Sequence, residues 1–212
     1  MPDTAHWLAF LAAAFALAAV PGPGMLYVLA RSLGSGTRAG VRSSLGTAAG
    51  GMAHVVAAAV GLSALLMTSA AAFDVVRLAG AAYLVLLGFR TLRSRARIPD
   101  VGRPAGDRGE RALRQGALTE LLNPKTALFF LTFLPQFVQP HRGPVAVQLL
   151  VLGTVSVALN STADLVVAAL AGRLGGLLRA RPRWWRRQRT ASGLVLLGLG
   201  GYAALGGEHR SG

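Results

Sequence analysis

Lys125 is the one lysine of the chain, and it stands in an apolar run from Gly116 to Val138. Asp164 stands in another, Pro144 to Ala171, and His54 in a third, Ser43 to Thr68. An ionised side chain inside a bilayer costs about 2.5–3.5 kcal/mol on insertion scales, so such groups face the protein interior and pair. Their opposite charges make Lys125 and Asp164 natural partners. Asp164 offers a counter-charge to an ammonium group or a place for a proton. Lys125 meets a carboxylate, or neutralises Asp164 while the site is empty. Ser156, Asn160 and Asp164 recur at helical spacing and form a polar stripe, as do Ser43, Thr47, Gly50 and His54. Glu120 lies near the start of its run and is expected at the membrane interface.

These groups need elements to position them, and two breaks mark where. Pro21-Gly22-Pro23-Gly24 interrupts the uncharged run from Trp7 to Ala30, and Asn123-Pro124-Lys125 interrupts Gly116 to Val138. Freed backbone groups at membrane depth are tolerated only when buried in protein or lining a watery cavity. Two interrupted segments in corresponding places of two half-chains point to a solute site. At 1.5 Å per helical residue, the Pro/Gly cluster, Lys125 and Asp164 all lie roughly 10–13 Å from the same face of the bilayer. Gly46 and Gly50 form a small-xxx-small pair that lets another helix approach. The candidate binding residues are Pro21, Gly22, Pro23, Gly24, Gly46, Gly50, His54, Asn123, Pro124, Lys125, Asn160 and Asp164.

The chain is 53% hydrophobic and 14% charged over 212 residues, against about 25% charged in soluble domains. Six spans are expected: Trp7–Ala30, Ser43–Thr68, Phe73–Leu92, Gly116–Val138, Pro144–Ala171 and Thr190–Gly206. The run at Trp7 is read as a span because the residues before it lack the positive region of a signal peptide. Net charge is +14, but the Arg residues fall in clusters between apolar runs, which argues against a nucleic-acid partner. The loops at 31–42, 90–115 and 172–190 hold 18 of the 22 basic residues, which puts those loops in the cytoplasm and both termini outside. Leu45-Gly46-Thr47 recurs as Leu152-Gly153-Thr154, and Val85-Leu86-Leu87-Gly88 as Val195-Leu196-Leu197-Gly198. The expected fold is an all-α integral membrane protein of six transmembrane helices, built as two inverted three-helix repeats with helices 1 and 4 broken. Residues 1–92 form the first repeat, 93–115 a basic cytoplasmic linker and 116–212 the second repeat. No cysteine, P-loop, zinc motif or nucleophile with its base stands in the chain. No cofactor and no enzymatic activity are expected, and the interior acids are too few for a good cation cage. Cation or metal efflux and a non-transporting assembly role remain as alternatives, and the glycine-rich faces permit a homodimer.

Pro21 to Leu33 resembles the first signature of the lysine exporter family, in its homoserine/threonine efflux branch. Leu121 to Phe130, with Leu134-Pro135-Gln136-Phe137, resembles the second. The resemblance spans roughly residues 7–205. It implies a bacterial inner-membrane exporter of amino acids or their derivatives, driven by protons without ATP. One position departs from the pattern: family members often carry Asn after Pro-Gly-Pro, and here Gly24 stands there, which removes a side-chain amide.

Overall fold

The computed structural model describes residues 2–64, 70–93, 109–179 and 182–205, and every regular element among them is helical. The first run forms two helices, α1 (Thr4–Ala19) and α2 (Pro23–Ser35), bent by 46° at the break between them. Pro23 opens α2, where a missing N–H costs nothing and the fixed φ suits the helix. α2 ends at Gly36, whose φ of 85° turns the chain directly into α3 (Thr37–Ala57). A single left-handed residue makes this corner, and glycine adopts that conformation without a steric penalty. Most of the basic segment 31–42 is therefore helical, not a loop, and Arg31 is buried.

α3 continues through a π-helical turn, Ala58–Leu62. α4 spans Ala70–Arg93. Residues 94–108, the centre of the expected linker, lie outside the described residues. α5 (Gly109–Leu121) starts earlier than the expected fourth span. After the break at Leu122 and Asn123 come α6 (Pro124–Leu128), a π turn at Phe129–Phe133 and a 3-10 turn at Leu134–Phe137. α7 runs from Val145 to Arg179 and α8 from Pro182 to Leu205. The basic segment expected as a loop at 172–190 is thus helical wherever it is described. Arginine is a good helix former, so charge alone does not end a helix there.

Among the described residues, three helical stretches are long and apolar enough to cross a bilayer: Thr37–Leu62, Asp74–Arg93 and Val145–Ala171. The bent pair α1–α2 makes a fourth as one broken span, and Thr190–Leu205 is a shorter apolar helix. The exterior is apolar too: Phe15, Val60 and Val75 are each about two-thirds exposed. That is unfavourable in water and expected in lipid.

Helices α3 and α5 pack closely because Gly46 and Gly50 lack side chains. A Cβ on Gly46 would overlap the Leu113 carbonyl, and one on Gly50 would lie 2.5 Å from the Ala117 carbonyl oxygen. α4 and α8 approach in the same way through Gly88, Gly193 and Gly200. α3 also packs on α7, and α1 lies against α7. Phe10, Phe129, Phe133 and Phe137 fill the core between them.

Candidate binding site at two broken helices

The two breaks meet, and each supplies what the other lacks. α1 ends with carbonyls that have no partner inside the helix, and α2 begins with N–H groups in the same state. Lys125 comes to the first end. Its Nζ donates to the carbonyl oxygens of Val20 at 2.8 Å and Leu17 at 3.3 Å. A cation at a helix C-terminus also meets the negative end of the helix dipole. Gly22 makes room for it, since a Cβ there would stand 3.0 Å from Lys125 Cε and 3.2 Å from Nζ.

Glu120 comes to the second end. It is only 2% exposed, which corrects the expectation that it sits at the membrane interface. The break after Leu121 turns its carboxylate inward, where it accepts from Thr126 Oγ1 at 2.6 Å and Asn123 Nδ2 at 3.1 Å. A Cβ added to Gly24, in the first turn of α2, would overlap Glu120 Oε2. The carboxylate occupies the space a side chain at position 24 would take. A negative charge at a helix N-terminus is favourable. Asn123 organises this corner: its Oδ1 accepts from the Lys125 backbone N–H at 3.1 Å and caps α6, while its amide holds Glu120. Pro21, Pro23 and Pro124 shape the two breaks and contribute no donor of their own.

Lys125 and Asp164 do not form the expected ion pair. Asp164 is buried against α3, where its Oδ2 accepts from Thr47 Oγ1 at 2.9 Å and its Oδ1 has no hydrogen-bond partner. Lys125 reaches the other way because two backbone carbonyls at the end of α1 lie within reach of its ammonium. Thr47 joins the two regions, since it also lines the cavity beside Glu120 and Lys125. That cavity holds about 20 Å³, and Asn160, Ser156 and Thr126 add polar lining to it. The space suits a water molecule and is far too small for an amino acid.

His54 stands behind the cavity. Its Nε2 lies 3.1 Å from the Glu120 carbonyl oxygen, and its ring stacks on Phe130 with centroids 6.0 Å apart. Gly46 and Gly50 set the distance between helices and are absent from the cavity wall. From Phe130 a run of ring contacts passes through Phe129, Phe133, Phe137 and Phe10 to Trp7. Beyond it Asp3 caps α1, accepting from the His6 backbone N–H at 2.9 Å and from Gln139 Nε2 at 2.8 Å. Gln139 is held in turn by Gln148, which donates to its carbonyl oxygen at 2.8 Å. These contacts tie the start of α1 to the start of α7. Sequence reasoning placed Glu120 at the interface instead of in the site and missed the network at the start of α1; the pairing of a bare Gly24 with an acid three residues before Asn123 is the trace Glu120 leaves in the sequence.

The family model described as LysE type translocator matches residues 15–207. The chain belongs to this family. It is therefore an integral membrane protein, and the family members are translocators. An uncharacterized membrane protein of Vibrio cholerae is 33% identical over 198 residues, covering 93% of this chain and 96% of its own. A homoserine/homoserine lactone efflux protein of Salmonella typhimurium is 30% identical over 199 residues, 93% of this chain and 95% of its own. A leucine efflux protein of Salmonella choleraesuis is 34% identical over 146 residues, 65% of this chain and 66% of its own. No solved structure matches the chain.

Proposed function

We propose that this translocator exports an amino acid or an amino-acid derivative across the bacterial inner membrane, coupled to protons, at the place where its two broken helices meet. The observation that carries the reading is the crossed arrangement of Lys125 on the end of α1 and Glu120 beside the start of α2. An amino acid has one ammonium and one carboxylate. The backbone carbonyls of Leu17 and Val20, with Glu120 on the same cavity as Leu17, suit the first. Lys125 and the N-terminus of α2 suit the second. Kinship with relatives named for efflux of homoserine, homoserine lactone and leucine supports the same cargo class.

The cycle is alternating access between two inverted repeats, residues 1–92 and 116–212, joined by the linker at 93–115. The packing supports that symmetry: α3 meets its counterpart α7, α4 meets α8, and α3 against α5 matches α7 against α1. The basic segments face the cytoplasm and the termini face outside, with Asp3, Gln139 and Gln148 at the outer end. A proton travels on a carboxylate of the site. Asp164 is the candidate, because its unpartnered oxygen leaves it the least satisfied acid near the cavity.

Purified protein in proteoliposomes, loaded with L-homoserine or L-leucine under an imposed pH gradient, tests this. The expected result is gradient-dependent flux of at least one of them. Equal leakage from protein-containing and empty vesicles, extended to homoserine lactone and the other amino acids, would sink the proposal.

A further inference from the structure

We infer that Lys125 is a built-in occupant of the subsite for the cargo's ammonium group, a site formed by the carbonyl oxygens of Leu17 and Val20 at the end of α1, and that cargo binds by displacing it. The inference rests on the exporter reading but names a subsite that this reading leaves open.

The geometry is that of an ammonium binding site already filled. A primary ammonium has three donors and no acceptor. Lys125 Nζ directs two of them at backbone carbonyls, 2.8 Å and 3.3 Å away. The break denies both carbonyls their ordinary helical partners, and the Leu17 carbonyl also accepts from the Val20 N–H at 3.1 Å. In an intact helix their partners would be N–H groups about four residues on, at Pro21, which has none, and at Gly24, which lies in the first turn of α2. Lys125 and Leu17 also line the cavity beside Glu120, so the subsite adjoins the space from which a solute would arrive. The pocket is bare where Lys125 runs, because Gly22 presents no Cβ to it. The lysine stem is flexible and ends in the same group that an amino acid or an amine carries. The side chain can withdraw and leave the two carbonyls, with Glu120 near, to a solute ammonium.

An occupant of this kind lowers the apparent affinity of the competing ligand by the fraction of time the subsite is free. If Lys125 fills it nine-tenths of the time, removing the lysine strengthens amine binding about tenfold. A lysine that merely staples α1 to α6 would also leave, in Lys125→Ala, a hole that an alkylamine fills, so displacement of the lysine in wild type is what separates the two readings.

The experiment uses n-butylammonium as the probe and purified full-length protein in detergent. Lys125→Ala and the uncharged, similarly long Lys125→Met are compared with wild type by thermal unfolding at rising probe concentration. The proposal expects both variants to bind the probe about tenfold more tightly than wild type. Equal or weaker binding by the variants overturns it. Should neither variant fold, wild type still decides. The chain has one lysine, so selective 15N-lysine labelling reports a single side-chain ammonium. Saturating n-butylammonium moves that signal if the lysine is displaced, and an unmoved signal overturns the inference. The probe requires no transport. Absence of homoserine or leucine flux therefore counts against the exporter reading alone, and unchanged amine binding counts against the subsite alone.

Discussion

At Gly24 the first span comes so close to Glu120 that hydrogen is the only side chain that fits. The carboxylate could yield to a methyl group only by giving up its bonds from Thr126 and Asn123. Losing such bonds to a buried charge costs about 1–3 kcal/mol. Gly24→Ala is therefore expected to lower stability by that amount, and Glu120→Ala in the same chain to recover part of it, read by thermal unfolding in detergent. Gly24→Ala that is as stable as wild type would contradict the contact. Lys125 was conspicuous in the sequence as a lone lysine in an apolar run. Its partners were not, because they are backbone carbonyls freed by a break, and no side-chain type announces them. Asp164 was expected to be that partner. The fold gave it Thr47 instead, because both lie on the facing sides of α3 and α7. Asp164→Asn keeps the size and a hydrogen-bonding oxygen but removes the charge. It is expected to abolish proton-driven export while leaving membrane insertion intact, measured as flux against the amount of protein in the membrane.

Among the elements, the breaks were legible because Pro and Gly act through the backbone itself. The corner at Gly36 and the helical basic segments were not legible, since arginine marks the side of the membrane without marking a helix end. Short repeats also overstated equivalence. In the Val-Leu-Leu-Gly pair, Gly88 packs against Gly193 and Leu197, while a Cβ on Gly198 meets nothing within 4 Å. In the Leu-Gly-Thr pair, Thr47 binds Asp164 whereas Thr154 is exposed and bonds back to its own helix. Packing of each residue, not its motif, decides its importance. Gly46→Val is expected to cost about 3 kcal/mol, because the neighbour it would strike is a backbone carbonyl that cannot rotate away. Gly198→Ala should cost nothing and gain up to about 1 kcal/mol from helix propensity. Unfolding midpoints of the two variants check both, and similar losses would contradict the packing. Removing the cap with Asn123→Ala is expected to cost about 1 kcal/mol from the helix end alone.

Across the whole molecule, α1 is held at both ends by the second half of the chain. Lys125 takes its C-terminal end, and Gln139 takes Asp3 at the other. The Asp3 carboxyl is held well below the usual carboxylate range, first by the His6 backbone N–H, then by the Gln139 amide and the His6 side chain. A depressed folded pKa adds stability above the ordinary Asp range, about 3.9, and that stability is lost as pH falls through the folded value. The gap in melting temperature between wild type and Asp3→Ala should therefore hold steady from about pH 7 to 5 and shrink only below about pH 4. A gap that closes by pH 5 would contradict the assignment. Membrane class, the two breaks and the bias of positive charge were readable from composition and periodicity. The network at the start of α1 was not, because it depends on aromatic rings and hydrogen bonds between residues more than a hundred positions apart.

The most direct test of the central claim, that cargo crosses where the two broken helices meet, is export of L-homoserine and L-leucine from cells producing either wild type or Lys125→Ala, with and without a protonophore. The account predicts export by wild type, arrest by the protonophore, and loss of export in Lys125→Ala at equal membrane abundance. Undiminished export by Lys125→Ala would contradict it.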